Sequence, residues 1–127
     1  MCELNLDRKI VAVVDDHEPL LNAIRGILEA YGAKVLIYTS GHDFLRDMPF
    51  VHCLVIDYSM PDLSGLDLAF ELRQRGYEPP VIMLTGMVNE IPEDRLAESG
   101  VREVVDKLLG HEALLRAIHA AARASPE

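Results

Sequence analysis

Five short apolar runs, each followed within a few residues by a helical pattern, constrain this chain more than any other feature. The runs are residues 9–14, 34–38, 53–56, 80–84 and 103–105, and each contains β-branched side chains. They are too short for helices and apolar without strict alternation, the pattern of strands buried on both faces of a sheet. The spacing predicts helices between them. Over residues 17–31, Leu20, Leu21, Ile24, Ile27, Leu28 and Tyr31 recur at helical intervals, with Pro19 in the first turn and Gly32 at the stop. Ser40 with Asp43, and Ser64 with Asp67, mark two further helix starts, and Gly76 closes the second of them. Residues 92–99, closed by Gly100, and residues 112–123, with Leu115, Ile118 and Ala122 on one face, complete the set. Strand and helix alternate five times. The expected fold class is therefore α/β: a five-stranded parallel sheet, doubly wound as (βα)5, with right-handed crossovers.

The chain has 127 residues, one domain's worth. The expectation is a single domain over residues 1–127 with its core at about 9–123 and no output domain. Asp plus Glu number 21 against 12 Lys plus Arg, a net charge of -9. That charge disfavours nucleic acid and anionic lipid as partners of this domain. No basic start precedes an apolar stretch, and no apolar run is long enough to span a bilayer, so neither a secretory signal nor membrane insertion is expected. Cys2 and Cys53 form no CxxC pair and are expected reduced, one on a tail and one inside a strand, which suits a cytoplasmic location. The histidines show no zinc-ligand spacing, and phosphate-binding glycine loops are absent from the sequence.

In open parallel sheets the site lies beyond the carboxyl ends of the strands. That rule selects Asp15, Asp16, Asp57, Thr85 and Lys107, each directly after an expected strand. Two like charges about 4 Å apart repel by roughly 4 kcal/mol at an effective dielectric of about 20, so three such carboxylates need a cation or a proton. Oxygen ligands with room for water suit Mg²⁺. Asp57, at the end of a central strand, is placed to act as a nucleophile, and carboxylates do form acyl-phosphates. Phosphoryl transfer needs chiefly alignment and neutralisation of the phosphoryl oxygens. Mg²⁺, the Lys107 ammonium and the Thr85 hydroxyl would each serve one of them. Gly86, after Thr85, leaves the approach uncrowded. A lone Asp after a strand is more simply a helix cap, but three with a lysine opposite are not.

These residues resemble the receiver domain of bacterial two-component response regulators. The matching pieces are Val13-Val14-Asp15-Asp16, Val55-Ile56-Asp57, Met60-Pro61-Asp62-Leu63-Ser64-Gly65, Leu84-Thr85-Gly86 and Asp106-Lys107. The stretch from Cys53 to Leu66 is similar to the FixJ-type branch. The resemblance spans nearly the whole chain and implies a flavodoxin-like, CheY-like fold. It implies that Asp57 accepts a phosphoryl group from a sensor histidine kinase or a phosphotransfer protein. It implies a metal site of Asp15, Asp16, Asp57 and the backbone carbonyl of Ser59 holding Mg²⁺. It further implies that Thr85 and Lys107 contact the phosphoryl group, and that an interaction surface at about residues 86–123 responds. The output would be a downstream protein or a missing output domain, with a homodimer as one form. Such a domain phosphorylates and dephosphorylates itself but turns over no metabolite, so it is not expected to be an enzyme.

Three positions depart from the family pattern. Val104 stands where an aromatic switch residue is usual. Leu108 follows Lys107 where proline and a cis peptide are usual, and a non-proline cis bond costs about 2.5–4 kcal/mol, so a trans bond and a reshaped loop are expected. The segment of residues 86–92 is also atypical. These departures motivate an alternative reading, a receiver-fold interaction module that signals without phosphorylation. A haloacid-dehalogenase-like phosphohydrolase also uses an Asp nucleophile but carries a second Asp two residues later. Here Asp57 is followed by Tyr58 and Ser59.

Overall fold

The β-branched runs form five strands: β1 (Ile10–Val14), β2 (Lys34–Tyr38), β3 (Cys53–Asp57), β4 (Val81–Thr85) and β5 (Glu103–Asp106). They are seen in a computed structural model that describes residues 5–61, 63–86 and 91–124, without the side chains of residues 109 and 124. Expectations resting on Cys2, Asp62, residues 87–90 and residues 125–127 lie outside the described residues. The strands make one parallel sheet in the order β2-β1-β3-β4-β5. In register, Val13 pairs with Val55, Asp57 with Leu84, and Thr85 with Asp106. The order reverses between β1 and β3, and that reversal opens a crevice at their carboxyl ends.

Five helices connect the strands: α1 (Glu18–Ala30), α2 (Gly41–Asp47), α3 (Gly65–Gln74), α4 (Glu93–Ser99) and α5 (His111–Ala124). The two serine start signals work as expected. Ser40 accepts hydrogen bonds from the backbone N–H groups of His42 and Asp43, and Ser64 accepts one from that of Asp67 at 3.2 Å. Gly32, Gly76 and Gly100, which follow α1, α3 and α4, all have positive φ.

Alternate residues of each central strand pack on opposite faces, which explains their continuous apolarity. On one face Val11, Val13, Cys53, Val55, Ile82, Leu84 and Val105 meet Leu21, Ile24 and Leu28 of α1 and Leu115, Ile118 and Ala122 of α5. On the other, Ala12, Val14, Leu54 and Ile56 meet Phe44 of α2 and Leu68, Ala69 and Leu72 of α3. A smaller cluster under α4 joins Leu66, Met83 and Ile91 to the half-buried Tyr58, Leu96, Val101 and Val104. Phe44 anchors the second face, with Tyr38 and Tyr77 packed edge-on at 5.0 and 5.7 Å between ring centroids. Both tyrosines keep a polar end satisfied, Tyr38 donating to Asp47 and Tyr77 to the carbonyl of Pro49.

Two features lie outside the expected elements. Leu6 is buried in the first core and donates its N–H to the Tyr31 carbonyl at 2.9 Å, so packing begins before residue 9. A 3-10 turn, Lys107–Leu109, separates β5 from α5. Among the described residues no helix is long and apolar enough to cross a membrane.

Candidate functional site

The crevice between β1 and β3 gathers the acidic residues. Asp15 directly follows β1, and its N–H extends the ladder by bonding the Tyr38 carbonyl at 3.0 Å. Its side chain is buried. One carboxylate oxygen, Oδ1, accepts the backbone N–H of His17 at 2.9 Å and so shapes the entry to α1. The other, Oδ2, is buried without a hydrogen-bond partner. Asp57 ends β3 and is also buried. Asp16 is exposed and stands on the open side. One carboxylate oxygen from each of the three lies within 4.8 Å of the others.

The chain leaves β3 along a narrow path. Tyr58 donates to the Leu84 carbonyl and accepts from the Gly65 N–H, both at 2.9 Å. A Cβ at Gly65 would stand 2.5 Å from the Asp57 carbonyl oxygen and 2.9 Å from the Tyr58 Cα. Only glycine lets the start of α3 pass this close to the backbone that carries Asp57. A Cβ at Gly86 meets nothing within 4 Å, so the need for glycine sits at Gly65 and not at the position after Thr85. Sequence reasoning quoted Gly65 within its motif, but a close approach of backbones is invisible without coordinates.

Lys107 reaches in from the far side. Its Nζ is 2.6 Å from Asp57 Oδ1, with the lysine side chain 35% exposed and the aspartate 4%. The contact is an ion pair, and among the described residues Lys107 is the partner recorded for Asp57 Oδ1. Thr85 ends β4, is buried, and lies in register with Asp106, one residue before Lys107. Ser59 is exposed, and its backbone N–H supports the Asp57 carboxylate. The fold therefore brings Asp15, Asp16, Asp57, Thr85, Lys107 and Ser59 to one edge.

Burial raises the pKa of both inner carboxyls. For Asp57 the rise is opposed by Lys107 and by the Ser59 N–H, and reinforced by Asp16. For Asp15 it is opposed by the His17 N–H and then Lys107, and reinforced by Asp57 and Asp16. Desolvation leads in each case, and one lysine does not neutralise three acids. A buried Asp15 oxygen without a partner, hard oxygen donors from three acids and an open side at Asp16 together fit a small divalent cation such as Mg²⁺.

The departures from pattern are equally visible. Val104 is half-buried in the small cluster beside Tyr58 and Met83. Leu108 is 82% exposed. Its peptide bond with Lys107 is trans, as expected, and no described residue has a cis bond.

Residues 11–119 match the response regulator receiver domain family. The chain is 28% identical over 126 residues to the response regulator protein TmoT of Ectopseudomonas mendocina, covering 98% of this chain and 57% of that protein. It is 31% identical over 119 residues to the transcriptional regulatory protein FixJ of Azorhizobium caulinodans, covering 92% and 56%. The chain thus spans about half the length of the curated relatives it matches. The crystal structure of FixJ-N superposes with a TM-score of 0.84 at 27% identity, covering 95% of this chain and 98% of that one. A matched stretch that takes in all five strands, from β1 to α5, places this chain in the response regulator receiver domain family.

Proposed function

We propose that Asp57 accepts a phosphoryl group from a sensor histidine kinase or a phosphotransfer protein. The observation that carries this reading is the Asp57 carboxylate itself, buried, within 4.8 Å of two other acids and paired with Lys107 at 2.6 Å. An Asp57 carboxylate oxygen attacks phosphorus, the bond from phosphorus to the donor nitrogen breaks, and an acyl-phosphate forms. Asp15, Asp16, Asp57 and the backbone carbonyl of Ser59 would hold Mg²⁺, which when bound supplies the positive charge that lets carboxylates and phosphoryl oxygens stand together. Lys107, already against Asp57, provides a point charge for one phosphoryl oxygen. The Thr85 hydroxyl donates to another. Hydrolysis of the acyl-phosphate by water returns the domain to its resting state.

In this reading residues 1–127 form one receiver, and its output is a binding event at about residues 86–123, made with a downstream protein, an output domain or a second copy. Any DNA binding belongs to a part outside this domain. Val104 and Leu108 favour a second reading, an interaction module of the same fold that signals without phosphorylation.

The deciding experiment incubates the protein with Mg²⁺ and acetyl phosphate and follows intact mass. One hydroxylamine-labile phosphoryl group, absent from Asp57→Asn, is the expected result. No adduct, together with no Mg²⁺-dependent rise in thermal stability, leaves the second reading.

A further inference from the structure

The Lys107 ammonium depends on a turn that the chain builds in its own way. Position 108 is leucine, so it carries a backbone N–H that a proline would lack. The Asp106 carboxylate accepts that N–H at 2.8 Å. Asp106 has extended backbone, φ -80 and ψ 123, and its side chain caps the 3-10 turn Lys107–Leu109. The turn closes at Gly110, whose φ is +80 and whose N–H lies over the Lys107 carbonyl. Lys107 is thus the first residue of a capped turn, and from there its side chain spans to Asp57. Leu108 is 82% exposed, so packing of its side chain does not hold the turn. Among the described residues, the Asp106 contact is the side-chain hydrogen bond recorded within this turn.

We propose that Asp106 is a positioning residue for Lys107: its carboxylate clasps the Leu108 N–H and sets the backbone from which the ammonium reaches Asp57. The clasp does for a trans Lys107–Leu108 bond what a rigid ring would otherwise do, by fixing the residue that follows the lysine. Asp106 acts through Lys107, its own carboxylate being taken by the Leu108 N–H. It sits at the last register position of β5, opposite Thr85, so the two strand ends that carry the hydroxyl and the ammonium are locked to each other. Deepening the phosphoacceptor reading, the inference rests on it for its rate measurements and stands apart from it for its structural one.

The test compares the parent with Asp106→Ala and Asp106→Asn. In Asp106→Ala the Leu108 amide loses hydrogen-exchange protection, and phosphorylation of Asp57 by acetyl phosphate slows by about three- to tenfold, the usual size of a lost cap expressed as a rate. Mg²⁺ still stabilises the variant, because the three acids are untouched. In Asp106→Asn, whose amide oxygen accepts the same N–H, protection and most of the rate return. In a Leu108→Pro background, which has no N–H at 108, Asp106→Ala has no further effect on rate. Unchanged protection and rate in Asp106→Ala overturn the proposal, as does an equal loss in Asp106→Asn. Should the parent take no phosphoryl group, the acceptor reading fails, and Leu108 exchange alone still decides for or against the clasp.

Discussion

Asp57 is held from two sides that are built by different means. On one side β1 and β3 are central strands, with Val13 paired to Val55, Val14 to Ile56, and both faces covered. Asp15 and Asp57 project from that frame almost without exposure, and Gly65 brings α3 against the Asp57 backbone. On the other side Lys107 arrives from a three-residue turn after β5, an edge strand bonded to β4 alone. Among the described residues that turn carries the Asp106 side-chain hydrogen bond and the Gly110 N–H over the Lys107 carbonyl, and Leu108 stands in solvent. The acidic side is a matter of filled volume, and interiors at crystal-like density pass any shape change onward. Among the described residues the lysine side rests on local hydrogen bonds and an ion pair, which can change while the core stays intact.

The sharpest way to break this contrast is Gly65→Ala. The new methyl would meet the Asp57–Tyr58 peptide unit at 2.5 and 2.9 Å, and neither atom is the end of a flexible side chain. Overpacking of this kind costs about 1–3 kcal/mol. Urea unfolding is expected to show that loss, and the Mg²⁺-dependent gain in stability is expected to shrink because Asp57 must shift. A loss below about 0.5 kcal/mol, the range of a neutral surface change, would mean that this side is as adaptable as the other.

Next in size is Asp15→Asn, which separates charge from volume. Burial raises the pKa of Asp15 and Asp57 in the fold. The native state therefore binds more protons than the unfolded chain as pH climbs from the ordinary carboxylate value of 3.8 through the raised values. Stability of the metal-free protein falls across that window and stays lower above it. Asp15→Asn removes one share of that fall and keeps an oxygen for the His17 N–H. Without metal at neutral pH it is expected to be more stable than the parent. With Mg²⁺ the order reverses, since the variant has lost a ligand. Thermal melts with and without Mg²⁺ across pH check both signs, and a metal-free variant less stable than the parent would sink the electrostatic account.

The same division explains what the sequence displayed and what it hid. Strands whose residues are buried on both faces advertise themselves as apolar runs, so β1 to β4 were legible within a residue or so at each end. Ser40 and Ser64 advertised α2 and α3 because a cap is a local interaction between near neighbours. Asp15, Asp57, Thr85 and Lys107 were legible because topology puts every strand end at one edge. Two things were not local, and a third was local but unmarked. The closeness of Gly65 to Asp57 depends on how α3 docks. The burial of Leu6 depends on the core it joins, and its N–H is taken by the Tyr31 carbonyl, far along the chain. The 3-10 turn depends on the Asp106 rotamer, and an Asp before a Lys carries no signature of it. Leu108 was legible as a departure, while its replacement by a side-chain clasp was not.

The smallest effect is expected at Leu108 itself, and it bears most directly on the comparison. Leu108→Ser keeps the N–H that Asp106 accepts and removes a side chain that is already 82% exposed. Little apolar area leaves the protein interior, so stability is expected to move by less than about 0.5 kcal/mol. Phosphorylation by acetyl phosphate, which needs no protein partner, is expected to proceed at the parent's rate. Leu108→Pro differs by removing the N–H, so the pair isolates the backbone from the side chain at one position. If serine leaves both readouts unchanged while proline alters the rate, the lysine side is governed by its backbone. A loss of more than about 1 kcal/mol in Leu108→Ser, the scale of a buried methylene, would mean that Leu108 packs in solution. The turn would then be filled volume too, and the difference between the two sides of Asp57 would vanish.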